Sequence, residues 1–153
     1  MRNTTQIKQT AQQTQIAIIG AGFGGLAMAI RLLQNNIQDF VILEKASDIG
    51  GTWRENQYPG AACDVQSHMY SLSFAPKSDW SKRYAEAAEI FAYIQSLIST
   101  YDLKKYCQLN SEVIAAEYNE QRCDWTLTLN NDSTLIAQFV IFASGPLHVP
   151  QIP

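Results

Sequence analysis

The stretch Ile16-Ala17-Ile18-Ile19-Gly20-Ala21-Gly22-Phe23-Gly24-Gly25-Leu26 restricts the possible folds of this chain more than any other. Four consecutive apolar residues read as a short strand buried on both faces. Leu26, Ala29, Ile30 and Leu33 then recur at helical spacing, and Asn35-Asn36 suits a left-handed C-terminal stop. Between strand and helix, Gly20-x-Gly22-x-x-Gly25 has the spacing of a dinucleotide-binding turn. In such a turn the first glycine permits the sharp change of direction, the second lets a diphosphate approach the backbone, and the third lets helix pack closely on strand. Free N–H groups and the helix dipole then face the diphosphate.

Glycine-rich turns also arise for purely local reasons, so their surroundings decide. Residues 39–45 form a second apolar run that ends in Glu44, 24 positions after Gly20. That is close to the spacing of an acid that takes both hydroxyls of an adenosine ribose, and it favours a cofactor without a 2'-phosphate. The plainer alternative for Glu44 alone is a solvated charge at a strand end.

The chain has 153 residues, 46% hydrophobic and 16% charged, with a net charge of −3, which fits one domain with its own core. Nothing basic points to nucleic acid, and the longest apolar run is too short to span a bilayer. Residues 1–14 are polar and rich in Gln and Thr, and read as a disordered tail ahead of a domain over 15–153. They lack the hydrophobic middle of a signal peptide. Cys63, Cys107 and Cys123 are odd in number and lack C-x-x-C spacing, so neither a disulfide framework nor a zinc site is expected, and a reducing cytoplasm is the default. His68 and His148 stand alone, with no metal or catalytic role assigned.

Beyond Glu44, residues 46–76 read as a long loop carrying Gly50-Gly51, Trp53, Tyr58, Tyr70 and Phe74. A structureless stretch of this length is usually functional. Its aromatic side chains either staple the loop to the core or line a planar ligand. Residues 86–101 place Ile90, Ile94, Leu97, Ile98 and Tyr101 on one helical stripe, and residues 106–109 are a short strand candidate. Residues 112–118, 124–129 and 134–138 read as three brief strands of an antiparallel meander, inserted before a last buried strand at 139–143. Trp125 alternates onto one face of that meander and reads as structural. The expected fold class is therefore α/β, a Rossmann-like FAD-binding three-layer fold with an inserted antiparallel β-meander.

Several motifs occur together in order: Gly20-Ala21-Gly22-Phe23-Gly24-Gly25-Leu26, Leu43-Glu44-Lys45, Gly50-Gly51-Thr52-Trp53-Arg54-Glu55-Asn56-x-Tyr58-Pro59-Gly60-x-x-Cys63-Asp64, and Tyr70-Ser71-Leu72-Ser73-Phe74. This set resembles the start of the flavin-binding Baeyer-Villiger monooxygenases, and is similar to their cyclohexanone- and 4-hydroxyacetophenone-oxidising members. Trp80-Ser81-x-x-Tyr84 and Ala143-Ser144-Gly145-Pro146 continue the pattern, so that the resemblance covers residues 15–153. It implies that Gly20, Gly22, Gly24 and Gly25 cradle the diphosphate of FAD and that Glu44 binds its adenosine ribose. Thr52 and Trp53 would line the cofactor near its ribityl chain and ring. Asp64, the one position with an implied catalytic place, would lie beside the flavin ring and the incoming nicotinamide. Tyr70 would contact the flavin, and Val113 would meet the adenine through its backbone. Cys63 reads as a packing residue, since no activating base stands near it.

The activity so implied is that of the FAD-binding part of an NADPH- and O2-dependent monooxygenase. It would oxidise a small ketone or other soft compound, with ketones going to esters by way of a flavin peroxide. Relatives continue with an NADPH-binding domain, so residues 15–153 are expected to be the N-terminal portion of a longer enzyme, inactive alone. The alternatives are a nucleotide-binding or interaction module without turnover, and an NAD-type oxidoreductase domain. The Trp53 and Asp64 motifs count against the last.

Overall fold

Strand β1 (Gln12–Ile19) runs through the centre of the molecule because Ile16, Ala17 and Ile18 carry no polar side chain and bury almost completely. A computed structural model describes residues 11–146. On one side β1 pairs in parallel with β2 (Phe40–Leu43), Ile18 opposite Ile42, and β2 pairs in parallel with the two-residue β3 (Cys107–Gln108). On its other side β1 pairs in parallel with β6 (Thr134–Phe142), Ile18 opposite Ile141. Strand β5 (Asp124–Leu129) runs antiparallel to β6, and β4 (Val113–Asn119) antiparallel to β5. The sheet order is β3-β2-β1-β6-β5-β4.

Two helices cover one face of this sheet. Helix α1 (Phe23–Gln34) buries Leu26, Ala29 and Ile30, and stops where Asn36 turns left-handed at φ 61°. After the four-residue helix α2 (Thr52–Glu55), helix α3 (Ala87–Thr100) buries Ile90, Tyr93, Ile94, Leu97 and Ile98 against Ile16, Ile18 and Ile42. On the opposite face Ala17 and Leu43 pack with Leu127, Leu129, Leu135 and Ala137. The meander thus closes the side of the parallel sheet that the helices leave open, giving the expected three layers. Among the described residues no helix is long and apolar enough to cross a membrane.

The structure differs from the sequence reading at three points. Gln12, Gln13 and Thr14, read as part of a disordered tail, are the first residues of β1 and pair with Leu135, Ile136 and Ala137. Backbone pairing on a neighbouring strand outweighs a polar composition. Residues 1–10, and 147–153 with His148, lie outside the described residues. Second, the third meander strand and the last buried strand are one continuous strand, β6, whose first half serves β5 and whose whole length serves β1. Its second half is also less buried than expected, with Phe139 58% and Phe142 62% exposed. Third, loop 46–76 contains α2 and a 3-10 turn at Ser67–Met69, and is bonded to residues 83–87 by Cys63 N–H to Ala85 O (2.9 Å), Ser67 N–H to Arg83 O (2.8 Å) and Ala87 N–H to Ala61 O (2.8 Å).

The burial map sets a contrast that denaturation can read. Ile18→Ala, which empties a fully buried position, should cost about 2–5 kcal/mol of unfolding free energy. Phe142→Ala, at an exposed position, should change stability by no more than about 0.5 kcal/mol. Urea midpoints for the two variants measure both.

Candidate functional site

The turn between β1 and α1 is sterically defined. Gly20 has φ +104°, and a Cβ there would meet the carbonyl oxygen of Ala143 at 2.7 Å. At Gly25 a Cβ would stand 1.9 Å from the carbonyl oxygen of Gly20, so α1 can lie this close to the end of β1 only without a side chain. The first and third glycines therefore have the tasks that their spacing implied. Gly22 is different: its backbone is ordinary (φ −85°), and an added Cβ would meet only the Cα of Gly51, at 3.6 Å. Gly24 is exposed, and a Cβ there would touch Ala143 Cβ at 3.8 Å. Gly22 offers no side-chain cap to α1 and no acid stands in the first turn, so the N–H groups that open the helix face outward with the positive end of its dipole.

Glu44 follows β2 directly and is only 6% exposed, which excludes the reading of a solvated strand-end charge. Its Oε2 accepts the N–H of Ala21 at 2.8 Å and its Oε1 accepts the N–H of Ala46 at 3.0 Å. The carboxylate is thereby fixed against the glycine turn itself. The chain returns beside it after β3: Ser111 N–H donates to Glu44 O at 2.9 Å and Asn110 N–H to Ala46 O at 3.0 Å, which brings the start of β4, Val113, alongside the same strand end. Cys107, which opens the neighbouring strand β3, is a packing thiol. Burial, with the Glu44 carboxylate adding to it, pushes its pKa up to about 11.

The far side of the turn is aromatic. Gly50 N–H donates to Ala21 O at 3.0 Å, and Gly51 (φ +55°) passes so near that a Cβ on it would meet Gly22 Cα at 2.8 Å. That approach starts α2 next to the glycine turn, with Thr52 exposed and Trp53 half-buried. Trp53 Nε1–H donates to Tyr70 Oη at 3.1 Å, the two rings meeting edge to face at 5.7 Å, and Phe23 packs edge-on against Tyr70 at 5.4 Å. Burial raises the phenol of Tyr70 above its ordinary value against the lowering by the Trp53 hydrogen bond, with the Cys63 and Asp64 charges adding smaller upward contributions. Asp64 itself is exposed, whereas Cys63 is buried and accepts Val65 N–H on its sulfur at 3.4 Å. A cavity of about 380 Å³ lies behind Trp53, between Tyr58, Gly60 and Phe91, and the glycine turn takes no part in it.

Not every loop aromatic lines the turn. Phe74 lies under the guanidinium of Arg31 at 4.0 Å, and Tyr93 on α3 fixes residues 72–75 by accepting Leu72 N–H (3.0 Å) and donating to Ala75 O (2.7 Å). These are staples. Two residues escaped the sequence reading. Phe23 is the first residue of α1 and touches both Tyr70 and Tyr93, a place signalled only by its position inside the glycine turn. Arg54, two residues after Thr52, has a guanidinium that reaches back to Asp48 O and stands 3.8 Å from Glu44 Oε1. Nothing in the local sequence announces that contact.

Strand, glycine turn, helix and an enclosed acid at the end of the second strand define a Rossmann-type fold, and a family model described as an NAD(P)-binding Rossmann-like domain matches residues 18–87. The resemblance to Baeyer-Villiger monooxygenases holds beyond that segment. The chain is 41% identical over 146 residues to a Baeyer-Villiger monooxygenase of Streptomyces coelicolor, covering 95% of this chain and 28% of that protein. It superposes on a closed crystal structure of cyclohexanone monooxygenase with a TM-score of 0.88 at 32% identity, and on an oxidised steroid monooxygenase bound to NADP with a TM-score of 0.85 at 34% identity. These alignments cover 94% and 93% of this chain and 28% of each enzyme. The chain therefore spans under a third of the length of the proteins it matches.

The glycines separate by steric role in a way that folding can test. Gly25→Ala should fail to give a folded chain, since backbone lies 1.9 Å from the new methyl group, while Gly22→Ala should keep the parent far-UV CD and unfold at a similar temperature. A folded Gly25→Ala protein would show that α1 does not press on the end of β1.

Proposed function

We propose that this chain is the FAD-binding part of an NADPH- and O2-dependent flavoprotein monooxygenase acting on ketones or similar soft, oxidisable small molecules. The observation that carries this reading is the arrangement around Gly22. An uncapped helix N-terminus lies under a position with room for a methyl group, an enclosed carboxylate stands at one end, and a Trp53-Tyr70-Phe23 wall at the other. An adenosine diphosphate joined to a flat ring system has this order of chemistry. FAD, when bound, supplies the hydride acceptance from NADPH and the reaction with O2 that oxygenation of a ketone to an ester requires.

The chain's own residues have distinct tasks in this reading. Gly20, Gly22, Gly24 and Gly25 leave the diphosphate free to meet the N–H groups opening α1. Glu44 gives one lone pair on each oxygen to Ala21 and Ala46, and an ionised carboxylate retains others for the two ribose hydroxyls. Val113 meets the adenine through its backbone. Thr52 and Trp53 border the ribityl chain and ring, and Tyr70, tied to Trp53, holds that wall in place. Asp64 is exposed, and in this reading it would form one side of the place where a nicotinamide meets the flavin. The remainder of that place belongs to an NADPH-binding part. A reducing, cytoplasmic setting fits the free thiols of Cys63, Cys107 and Cys123.

Flavin titration tests the site. The chain should quench FAD fluorescence on binding, and Gly22→Ala should abolish this because its methyl group occupies the diphosphate's space. Glu44→Ala should weaken FAD about ten- to a hundredfold, the worth of charge-assisted hydrogen bonds of about 1.5–3 kcal/mol, and weaken FMN, which lacks adenosine, distinctly less. Equal weakening for both flavins would mean that Glu44 acts on the fold alone. With NADPH, air and a panel of ketones and sulfides, the 153-residue chain should give no ester or sulfoxide. NADPH-linked product would show that this domain suffices.

A further inference from the structure

Arg54 links Glu44 to the 48–51 turn that lies against the glycine turn. Its backbone N–H donates to Gly51 O at 3.0 Å, setting the start of α2, and its side chain then folds back over the preceding turn. One guanidinium nitrogen donates to the carbonyl of Asp48 and stands 3.8 Å from Glu44 Oε1; the other donates to Glu55 Oε1 at 2.7 Å. Glu44 in turn accepts Ala21 N–H at 2.8 Å, and the carbonyl of Ala21 accepts Gly50 N–H at 3.0 Å. Ala21, Glu44, Arg54 and Asp48 are thus linked through two hydrogen bonds and the 3.8 Å ion pair, and the main chain from Asp48 through Ile49 to Gly50 leads back to Ala21. The arginine side chain is 15% exposed and that of Glu44 8%, so the two charges face each other in a largely dry place.

The chemistry of the side chain suits this position. A planar guanidinium presents several N–H groups in a fixed fork and serves more than one acceptor at once, where a lysine offers a single compact charge. An enclosed carboxylate is costly without an opposite charge nearby, and Arg54 supplies a cation 3.8 Å from Glu44 Oε1. By bonding to Asp48 O it also ties α2 to the turn whose Gly51 lies against Gly22.

We propose that Arg54 is a positioning residue for the adenosine half of the cofactor. It acts through Glu44 and the 48–51 turn, and not by its own contact with FAD. This rests on the FAD-binding reading given above. The test is a double-mutant cycle in the 153-residue chain, with FAD affinity read by flavin fluorescence and ADP affinity by its competition with FAD. Arg54→Gln should weaken FAD and ADP alike by about tenfold, the loss of one charge-assisted contact. In a Glu44→Gln background the same change should weaken them less than about twofold, because coupled residues do not add. Arg54→Lys should lie between parent and Arg54→Gln.

Several results would overturn this. Parent-like affinity in Arg54→Gln would do so, as would a tenfold loss that persists in the Glu44→Gln background, which would make Arg54 a direct ligand. A parent chain that binds no FAD would remove the FAD reading and this inference together, whereas FAD binding that ignores Arg54 removes only the inference. If far-UV CD shows Arg54→Gln unfolded, the cycle is run with Arg54→Lys, where the expected coupling is smaller but of the same sign, and full additivity again overturns it.

Discussion

The 2.8 Å hydrogen bond from Ala21 N–H to Glu44 Oε2 ties together the ends of two strands that share no turn. Ala21 lies just past β1 and Glu44 just past β2, so this one contact fixes the glycine turn relative to the strand beside it. A bond to an ionised acceptor contributes about 1.5–3 kcal/mol, and removing one partner leaves the other enclosed and unsatisfied. Everything that approaches the turn depends on that fixed point. Gly50 bonds to the same residue, Gly51 closes on Gly22, and α2 with Trp53 begins where that approach ends.

The candidate site consequently lies at the carboxyl ends of β1, β2 and β6, where open parallel sheets gather ligands in the crevice outside the strands. Gly20 follows β1, Glu44 follows β2, and Ala143 follows β6, with the Ala143 carbonyl within 2.7 Å of where a Gly20 side chain would begin. The long loop adds the aromatic half of the site because its backbone is held by hydrogen bonds at both levels, to residues 83–85 and through Tyr93 to α3. Aromatic side chains on a loop so tied have little freedom left to lose when a planar ring meets them.

What could be read in the sequence was local and steric. The strand, turn and helix at 16–34 follow from apolar spacing and from three glycines whose crowding is set by neighbours in the chain, and Asn36 stops the helix in the backbone region that suits asparagine. The acid at position 44 was legible because its distance from the turn is fixed by one βαβ unit. Features built from distant pairing were hidden. Gln12–Thr14 look like tail until Leu135–Ala137 are set beside them, and β6 looks like two strands because a single stretch serves an antiparallel neighbour and a parallel one. Arg54 belongs to the same group: its partners Asp48 and Glu44 lie across a loop whose path only the folded chain reveals.

The central position of β1 also governs when the molecule can fold during synthesis. Ile16 meets Phe40 on one side after 24 residues, but meets Phe139 on the other only after 123. At a translation rate of about 5–20 residues per second, the second edge of β1 waits roughly 5–20 seconds longer than the first for its partner to be made. For that interval the nascent chain has a βαβ half with an unpaired apolar edge, the kind of surface that chaperones cover and stray strands join. Only after the ribosome has passed Phe142 can the parallel sheet close around Ile18, so commitment to this fold waits for the last of its strands.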